Sequence, residues 1–461
     1  MRGGSVEDWR SARFHEPQPK AGDLRTPGER DRDRVLYSPE FRRLQGVTQV
    51  ILAAEEGYLQ HNRLTHSLKV AQVGRRIAER LLRTYTELTV RQAIDERGGL
   101  DPDVVEAAGL AHDLGHPPFG HIAEHQLQTI MHKAGLTDTF EGNAQSFRIV
   151  VTLSARSPGF PGLNLTRATI NAILKYPWRE RDAPQGETPH RKWGAYEENW
   201  DVAAWARDGV LHPLERSLEA DIMDWADDIT YAVHDVEDFY RVGLIPLDRL
   251  RQADSELLPH IYDRVRRRLG DEANDRYRLS VSQKDVEAAW AETLGVFGRI
   301  DRDDSFESRA AISAYSSGLI NNFVRATELD SKAHLVIPKA LRIQAEMLKN
   351  LTRIYVVEAP HLATQQQGQR RVIENLFAAY SEPIKSAGIR PSDDESRRAA
   401  VLFPTRIARS IRQVINEGSA PYATGRVVAD TIAGMTEAQA LRIHHRFMGF
   451  DLGAFVDPAV S

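Results

Sequence analysis

The chain has no cysteine. Disulfides, thiolate nucleophiles and Cys-type zinc sites are thereby excluded, and any strong metal ligand must be a histidine or a carboxylate. Long apolar runs are missing too, so no stretch approaches the roughly 20 residues that a membrane-spanning helix needs. The opening MRGGSVEDWRSARF lacks an apolar h-region and a small-residue cleavage pattern, so export is not expected and a cytoplasmic location is the default. Positive charge is not in excess. The net charge is −5, which gives no general attraction to nucleic acid and requires any phosphate site to be a local cluster of Arg and Lys. Alternating apolar and polar runs do not persist, so the fold is expected to be mainly α. No internal repeat is visible, and the absence of H-E-x-x-H excludes a zinc protease of that type.

What is present is a soluble, globular composition, with 41% apolar and 27% charged residues. At 461 residues the chain exceeds the usual single-core size, so one large domain with additions, or two closely packed domains, is expected. Histidine is well supplied, 16 in all, and it concentrates in HDLGHPPFGHIAEH at 112–125. His112, Asp113, His116, His121 and Glu124 crowd around Pro117-Pro118, with His125 directly after.

Helix signals place these groups. Residues 1–25 lack periodicity and read as an arm ordered by what it touches. Thr26-Pro27-Gly28-Glu29 combines an N-cap, a Pro at the first position and a capping-box Glu, and Ser38-Pro39-Glu40-Phe41 repeats the start signal. From Thr65, Leu68, Ala71, Ile77, Ala78, Leu81 and Leu82 recur at helical spacing, which predicts an amphipathic helix beginning near His66. Residues 103–114 form an Ala-rich apolar helix ended by Gly115 and the two prolines, putting His112 and Asp113 in its last turn. A third helix pattern occupies 217–240, with Ile222, Ala226, Ile229, Val233 and Val236 as its apolar stripe and six Asp among them. Beyond 280 the chain again reads as helix, and 180–192 and 388–398 read as polar loops.

An ion with open coordination positions is commonly held by two His and one or two carboxylates drawn from different helices. His66 starts one helix, His112 and Asp113 end a second, and Asp227 lies inside a third among apolar residues, where an unpaired carboxylate is costly. Taken singly, each can equally be a helix cap or a solvated carboxylate. His121 and Glu124, three apart after the proline break, share one helix face. Asp227, Tyr231 and Asp235, at i, i+4 and i+8, share another, although Tyr at such spacing is usually core.

The ordered series HNRLTHSLKV, HDLGHPPFGHIAE, FEGNAQSFR, ILKYPW and ADDITYAVHDVED resembles the HD-domain superfamily, specifically the bacterial deoxyguanosinetriphosphate triphosphohydrolase-like proteins. The likeness runs from about Arg25 through Tyr240, and RVVADTIAGMTEAQALRIHHRFMG near the C-terminal end shares it. The resemblance implies an HD-domain helical bundle with an additional helical C-terminal region: an arm at 1–25, a phosphohydrolase core at 26–245 and a helical region at 246–461 packed on it. It implies hydrolysis of dGTP or several deoxynucleoside triphosphates to deoxynucleoside and inorganic triphosphate, with one divalent ion (Mn, Mg, Fe or Co). By motif match the ion is held by His66, His112, Asp113 and Asp227, with Asp228 as the alternative for the last. His121 and Glu124 match catalytic positions, the His handling protons or the attacking water and the carboxylate holding that His. Arg63, His116, Lys175 and Tyr176 match phosphate contacts, Tyr231 packs under the deoxyribose, and Asp235 with Gln49 bonds the 3'-OH. Such proteins are often homo-oligomers, some with a nucleotide activator. The alternatives are an HD-type phosphohydrolase acting on a monophosphate, cyclic nucleotide or guanosine polyphosphate, and a nucleotide sensor without activity.

Overall fold

A computed structural model of the protein describes residues 6–16, 22–49, 62–184, 192–209, 214–246, 250, 257–271, 278–297, 305–389, 394, 398–399, 401–403, 408–417 and 420–450. The expected loops at 180–192 and 388–398, and parts of the arm, lie largely outside these residues. The described residues form 19 α-helices and one two-stranded antiparallel pair, so the protein is mainly α, as its missing strand pattern predicts.

Helices begin where the sequence supplies a capping side chain. Within the arm, Val6–Ser11 forms α1, fastened by Arg10 to Glu219 and by Trp9 Nε1 to the Asp208 carbonyl. Thr26 and Glu29 close the expected capping box on α2 (Pro27–Leu36), and Ser38 caps α3 (Pro39–Arg43) through the Phe41 N–H. The long helix α4 (Arg63–Thr84) starts three residues earlier than expected because Asn62 accepts the N–H of Thr65. Arg63 and His66 therefore share the first turn and, three apart, one face. After α5 (Leu88–Glu96), α6 (Pro102–Ala111) ends sooner than expected: His112 is its C-cap and Asp113 lies in the turn beyond, not in the last helical turn. Beyond Ala111 the chain is held by Ser146, whose hydroxyl accepts the Gly115 N–H at 2.8 Å and donates to the His112 carbonyl at 2.7 Å, and residue 115 lies too close to residues 142–146 to carry a Cβ.

Following the prolines come α7 (His121–Lys133), α8 (Gly142–Arg148), α9 (Arg167–Ile173) and α10 (Trp200–Arg207). The Asp-rich helix α11 (Leu218–Arg241), capped by Ser217, crosses both α4 and α6. Val70, Val73 and Ile77 of α4 meet Ile222, Ala226 and Ile229 of α11, all fully buried or nearly so. Close crossing needs small residues: a Cβ on Gly74 would meet Val105 at 2.9 Å, and one on Gly109 would meet the Ala71 Cα at 2.8 Å. The chain continues through α12 (Leu257–Arg266), α13 (Gln283–Phe297), α14 (Phe306–Ala326), the pair β1 (Glu328–Leu329) and β2 (Leu335–Val336), and α15 (Lys339–Thr352), which packs on α11. Finally α16 (Ala363–Ile389), α17 (Ala408–Asn416), α18 (Pro421–Ala433) and α19 (Glu437–Phe447) build a second core against Leu127 and Met131 of α7. Among the described residues no helix is long and apolar enough to cross a membrane.

Candidate metal and catalytic site

Two helix ends and the middle of a third helix converge on one cluster. His66 comes from the first turn of α4, His112 and Asp113 from the end of α6, and their ligand atoms all lie within 4.8 Å of one another. Asp227, in the middle of α11, brings Oδ1 to 3.1 Å from His66 Nε2 and 3.8 Å from His112 Nε2. Asp228 points elsewhere: its carboxylate pairs with Lys349 of α15 at 2.9 Å.

The His112 ring shows what the cluster is suited to. Its Nδ1 lies 2.7 Å from the Gly109 carbonyl, which can only accept, so the proton belongs on Nδ1. That leaves Nε2 as a buried lone pair, and Nε2 has no hydrogen-bond partner. An orphaned imidazole nitrogen facing two carboxylates is a poor choice for stability and a good one for a divalent ion. The donor set, two His and two Asp, matches such an ion chemically.

Charges around the cluster are balanced by cations that also face it. Burial opposes ionisation of Asp113, yet Arg63, donating to Asp113 Oδ2 at 2.7 Å, helps hold its carboxyl below the usual range. Asp227 is likewise held down against burial, chiefly by Lys175, whose Nζ lies 3.1 Å from Oδ2. Lys175 also pairs with Asp224 at 2.6 Å. Burial pulls the His66 imidazole down, against the hydrogen bond and charge of Asp227. Tyr176, beside Lys175, faces Trp178 and the Arg216 guanidinium; its described ring contacts do not reach the cluster.

A second group sits beside the first. Phe119 (φ 69°) and Gly120 (φ 57°) form a left-handed bend from which α7 starts, bringing His116, His121 and Glu124 within 4.8 Å of one another. His121 is 59% exposed in its side chain, and its Nδ1 lies 2.8 Å from Glu124 Oε2. Glu124 is buried and accepts the Gly142 N–H on its other oxygen. His116 stands between the groups, its Nδ1 3.2 Å from Asp113, and burial with Arg63 nearby pushes its imidazole well down. The result is a buried carboxylate aiming an exposed imidazole.

Along α11 beyond Asp227, Tyr231 is half-buried, and burial with Asp235 close by raises its hydroxyl. Asp235 is buried, its Oδ2 has no hydrogen-bond partner, and burial together with Asp238 pushes its carboxyl well up. Gln49 likewise keeps Oε1 buried and unpartnered. Two residues that the sequence pattern did not single out also face the site. Lys192 places Nζ 3.9 Å from Glu124 and 3.6 Å from Glu141, and Glu141, buried between them, is pushed up to about 7 by burial against the pull of Lys192. Only a lone basic pair, Arg191-Lys192 at a loop end, marked the first, and Glu141 lay unassigned inside FEGNAQSFR.

Comparison with known proteins gives two family matches and several relatives. Residues 63–232 match the HD domain family and residues 335–446 the phosphohydrolase-associated domain family. The chain is 34% identical over 453 residues to a deoxyguanosinetriphosphate triphosphohydrolase-like protein of Streptomyces coelicolor, covering 94% of this chain and 95% of that one. It is 33% identical to the protein of that name from Corynebacterium glutamicum, covering 92% and 91%, and 29% identical to that from Shewanella loihica, covering 97% and 98%.

Proposed function

This chain belongs to the deoxyguanosinetriphosphate triphosphohydrolase-like family of HD-domain phosphohydrolases, and we propose that it cleaves a deoxynucleoside triphosphate into the deoxynucleoside and inorganic triphosphate. The observation that carries the proposal is the His112 ring, fixed by Gly109 with its buried Nε2 left unpartnered among His66, Asp113 and Asp227. Those four residues would hold one divalent ion, which when bound spreads the charge of the phosphoryl oxygens.

The remaining work falls to the protein's side chains. Glu124 fixes His121 by its Nδ1, so Nε2 of the exposed ring serves as proton carrier for the attacking water or the departing 5'-oxygen. Arg63, His116, Lys175 and Lys192 line the site as cations or donors for a triphosphate, with Tyr176 beside them, and Arg guanidinium is well shaped to engage two phosphate oxygens at once. Tyr231 offers a ring for the sugar face, and the unpartnered oxygens of Asp235 and Gln49 offer bonds to the 3'-OH. An aromatic packed at C2' leaves a 2'-OH neither room nor a partner.

The test is to incubate the protein, supplied in turn with Mn, Mg, Fe or Co, with each of the four dNTPs and to identify the products. Inorganic triphosphate is expected; release of pyrophosphate or orthophosphate in its place, or no turnover, overturns the reading. Repeating the assay with a second dNTP present, and weighing the protein in solution by light scattering, tests the expected activator and homo-oligomer.

A further inference from the structure

The C-terminal motif GMTEAQAL has no part in the chemistry above, yet the fold brings it to the back of the site. Thr436 caps α19 with Gln439 in a capping box, which fixes Glu437 in the first turn. Glu437 is 7% exposed, and its carboxylate is spent on two distant pieces of backbone. Oε1 accepts the N–H of Thr48 at 3.0 Å and the N–H of Phe119 at 3.1 Å, while Oε2 accepts the Thr48 hydroxyl at 2.8 Å. Thr48 immediately precedes Gln49. Phe119 is the first residue of the left-handed bend that launches His121. Backbone N–H groups in such irregular segments have no ladder or helix partner of their own, so a buried one must be met from elsewhere.

The neighbouring residues reinforce the same junction. Arg43 donates to the carbonyls of Met435, Leu114 and His116 at 2.7 to 2.9 Å, tying the turn before α19 to the turn after Asp113. Thr436 occupies the space over Gly46, where a Cβ would meet its Cγ2 at 2.7 Å. Arg63, also in the site, takes its backbone partner from Val47, one residue before Thr48. One carboxylate thus joins the segment bearing Gln49 to the bend bearing His121.

We propose that Glu437 is a positioning residue of this site, clamping the Thr48–Gln49 segment and the Phe119–Gly120 bend in register so that the sugar contact and the His121–Glu124 pair face the same substrate. The proposal rests on the reading of the site given above for its effect on turnover, and on geometry alone for its effect on the backbone.

The full-length chain is compared as wild type, Glu437→Ala, Glu437→Gln and Thr48→Val, measuring kcat and KM for dNTP hydrolysis, bound metal, and backbone amide exchange by mass spectrometry. Glu437→Ala is expected to lower kcat by about 30-fold or more, the size of effect that small misplacements of reacting groups produce. It should keep its metal and exchange faster at 44–49 and 117–123, with α4 and α11 unchanged. Glu437→Gln keeps an oxygen for both N–H groups and can donate to the Thr48 hydroxyl, so it should stay within about fivefold of wild-type kcat, a rescue that a charge-based role would not give. Thr48→Val removes only the Oε2 contact and should raise KM with little change in kcat; it also carries the test if Glu437→Ala does not fold. A Glu437→Ala protein within threefold of wild-type kcat, a Glu437→Gln protein as slow as Glu437→Ala, or a Thr48→Val protein with unchanged KM overturns the clamp. If the wild type itself releases no triphosphate, the functional reading fails and the clamp is judged by exchange alone: faster exchange at both segments in Glu437→Ala supports it, and unchanged exchange overturns it.

Discussion

Two histidines of this site differ in what their second nitrogen does. His112 gives Nδ1 to a backbone carbonyl and keeps Nε2 buried and orphaned, whereas His121 gives Nδ1 to Glu124 and exposes the rest of its ring. Their alanine variants should therefore separate. His112→Ala is expected to lose bound metal and activity together, and full metal occupancy in that variant would remove His112 from the ligand set. His121→Ala is expected to keep its metal while turnover falls by roughly two or more orders of magnitude, the usual contribution of an acid–base group; near wild-type turnover would make the residue structural. In the proposed reading Tyr231 packs at C2', so kcat/KM for dGTP and GTP should converge in Tyr231→Ala, while Asp235→Asn should weaken both because each carries a 3'-OH. An unchanged dGTP to GTP ratio in Tyr231→Ala places the sugar gate elsewhere. The histidines and aspartates of this cluster stand out in the sequence because type and spacing announce them. The choice between Asp227 and Asp228 does not, since it depends on Lys349, a residue of another helix that draws Asp228 away. Lys192 and Glu437 have no local pattern for the same reason: their contacts, to Glu124 and Glu141 and to Thr48 and Phe119, are all with residues far away in the sequence.

Helix starts were legible because capping is local. Thr26 and Ser38 act within three residues of themselves, and the structure uses both; Ser217, read as part of the 217–240 helix, caps α11 in the same way. The end of α6 was less so, because the groups beyond Ala111 bond to Ser146, a residue of a distant segment. The same helix shows how packing sets the site. Gly109 lies over the Ala71 backbone of α4, and His112 follows one turn later. A methyl group at 109 has no room at 2.8 Å from a backbone atom, so Gly109→Ala should push α6 from α4 and carry His112 away from His66. We expect a loss of stability of about 1–3 kcal/mol, typical of overpacking, together with weaker metal binding. Thermal unfolding and calorimetric metal titration check this; a variant with lowered Tm but unchanged metal affinity would show that the helices absorb the strain without moving the ligands.

Around the three-helix heart of α4, α6 and α11, both ends of the described chain act as straps. Toward the C-terminus, Asp430 of α18 accepts from Arg148 and Gln145 of α8, and Glu437 reaches the site. Near the N-terminus, Arg10 of α1 pairs with Glu219 of α11, and Glu219 also accepts the Asp101 N–H that precedes α6. None of these pairings is visible in the sequence, since each joins residues far apart. They differ in how they titrate. Burial pushes the Glu219 carboxyl up to about 7 against the pull of Arg10, from an ordinary value of 4.5. The folded protein therefore holds a proton that the unfolded chain has already released between about pH 4.5 and 7, and linkage makes stability fall as pH rises through that window. The contribution is roughly 3 kcal/mol. Asp113, Asp227 and Glu124 act oppositely: held below their ordinary values, they contribute stability above about pH 4 that disappears on further acidification. Glu219→Gln imitates the protonated side chain, so it should match wild-type Tm at pH 5 and exceed it at pH 8. Glu141, also pushed up to about 7, leaves part of the slope in place. Calorimetric scans of both proteins at pH 5, 6, 7 and 8 decide the matter: parallel Tm profiles would mean that Glu219 is ionised throughout, and that the N-terminal strap is an ordinary ion pair indifferent to pH in this range.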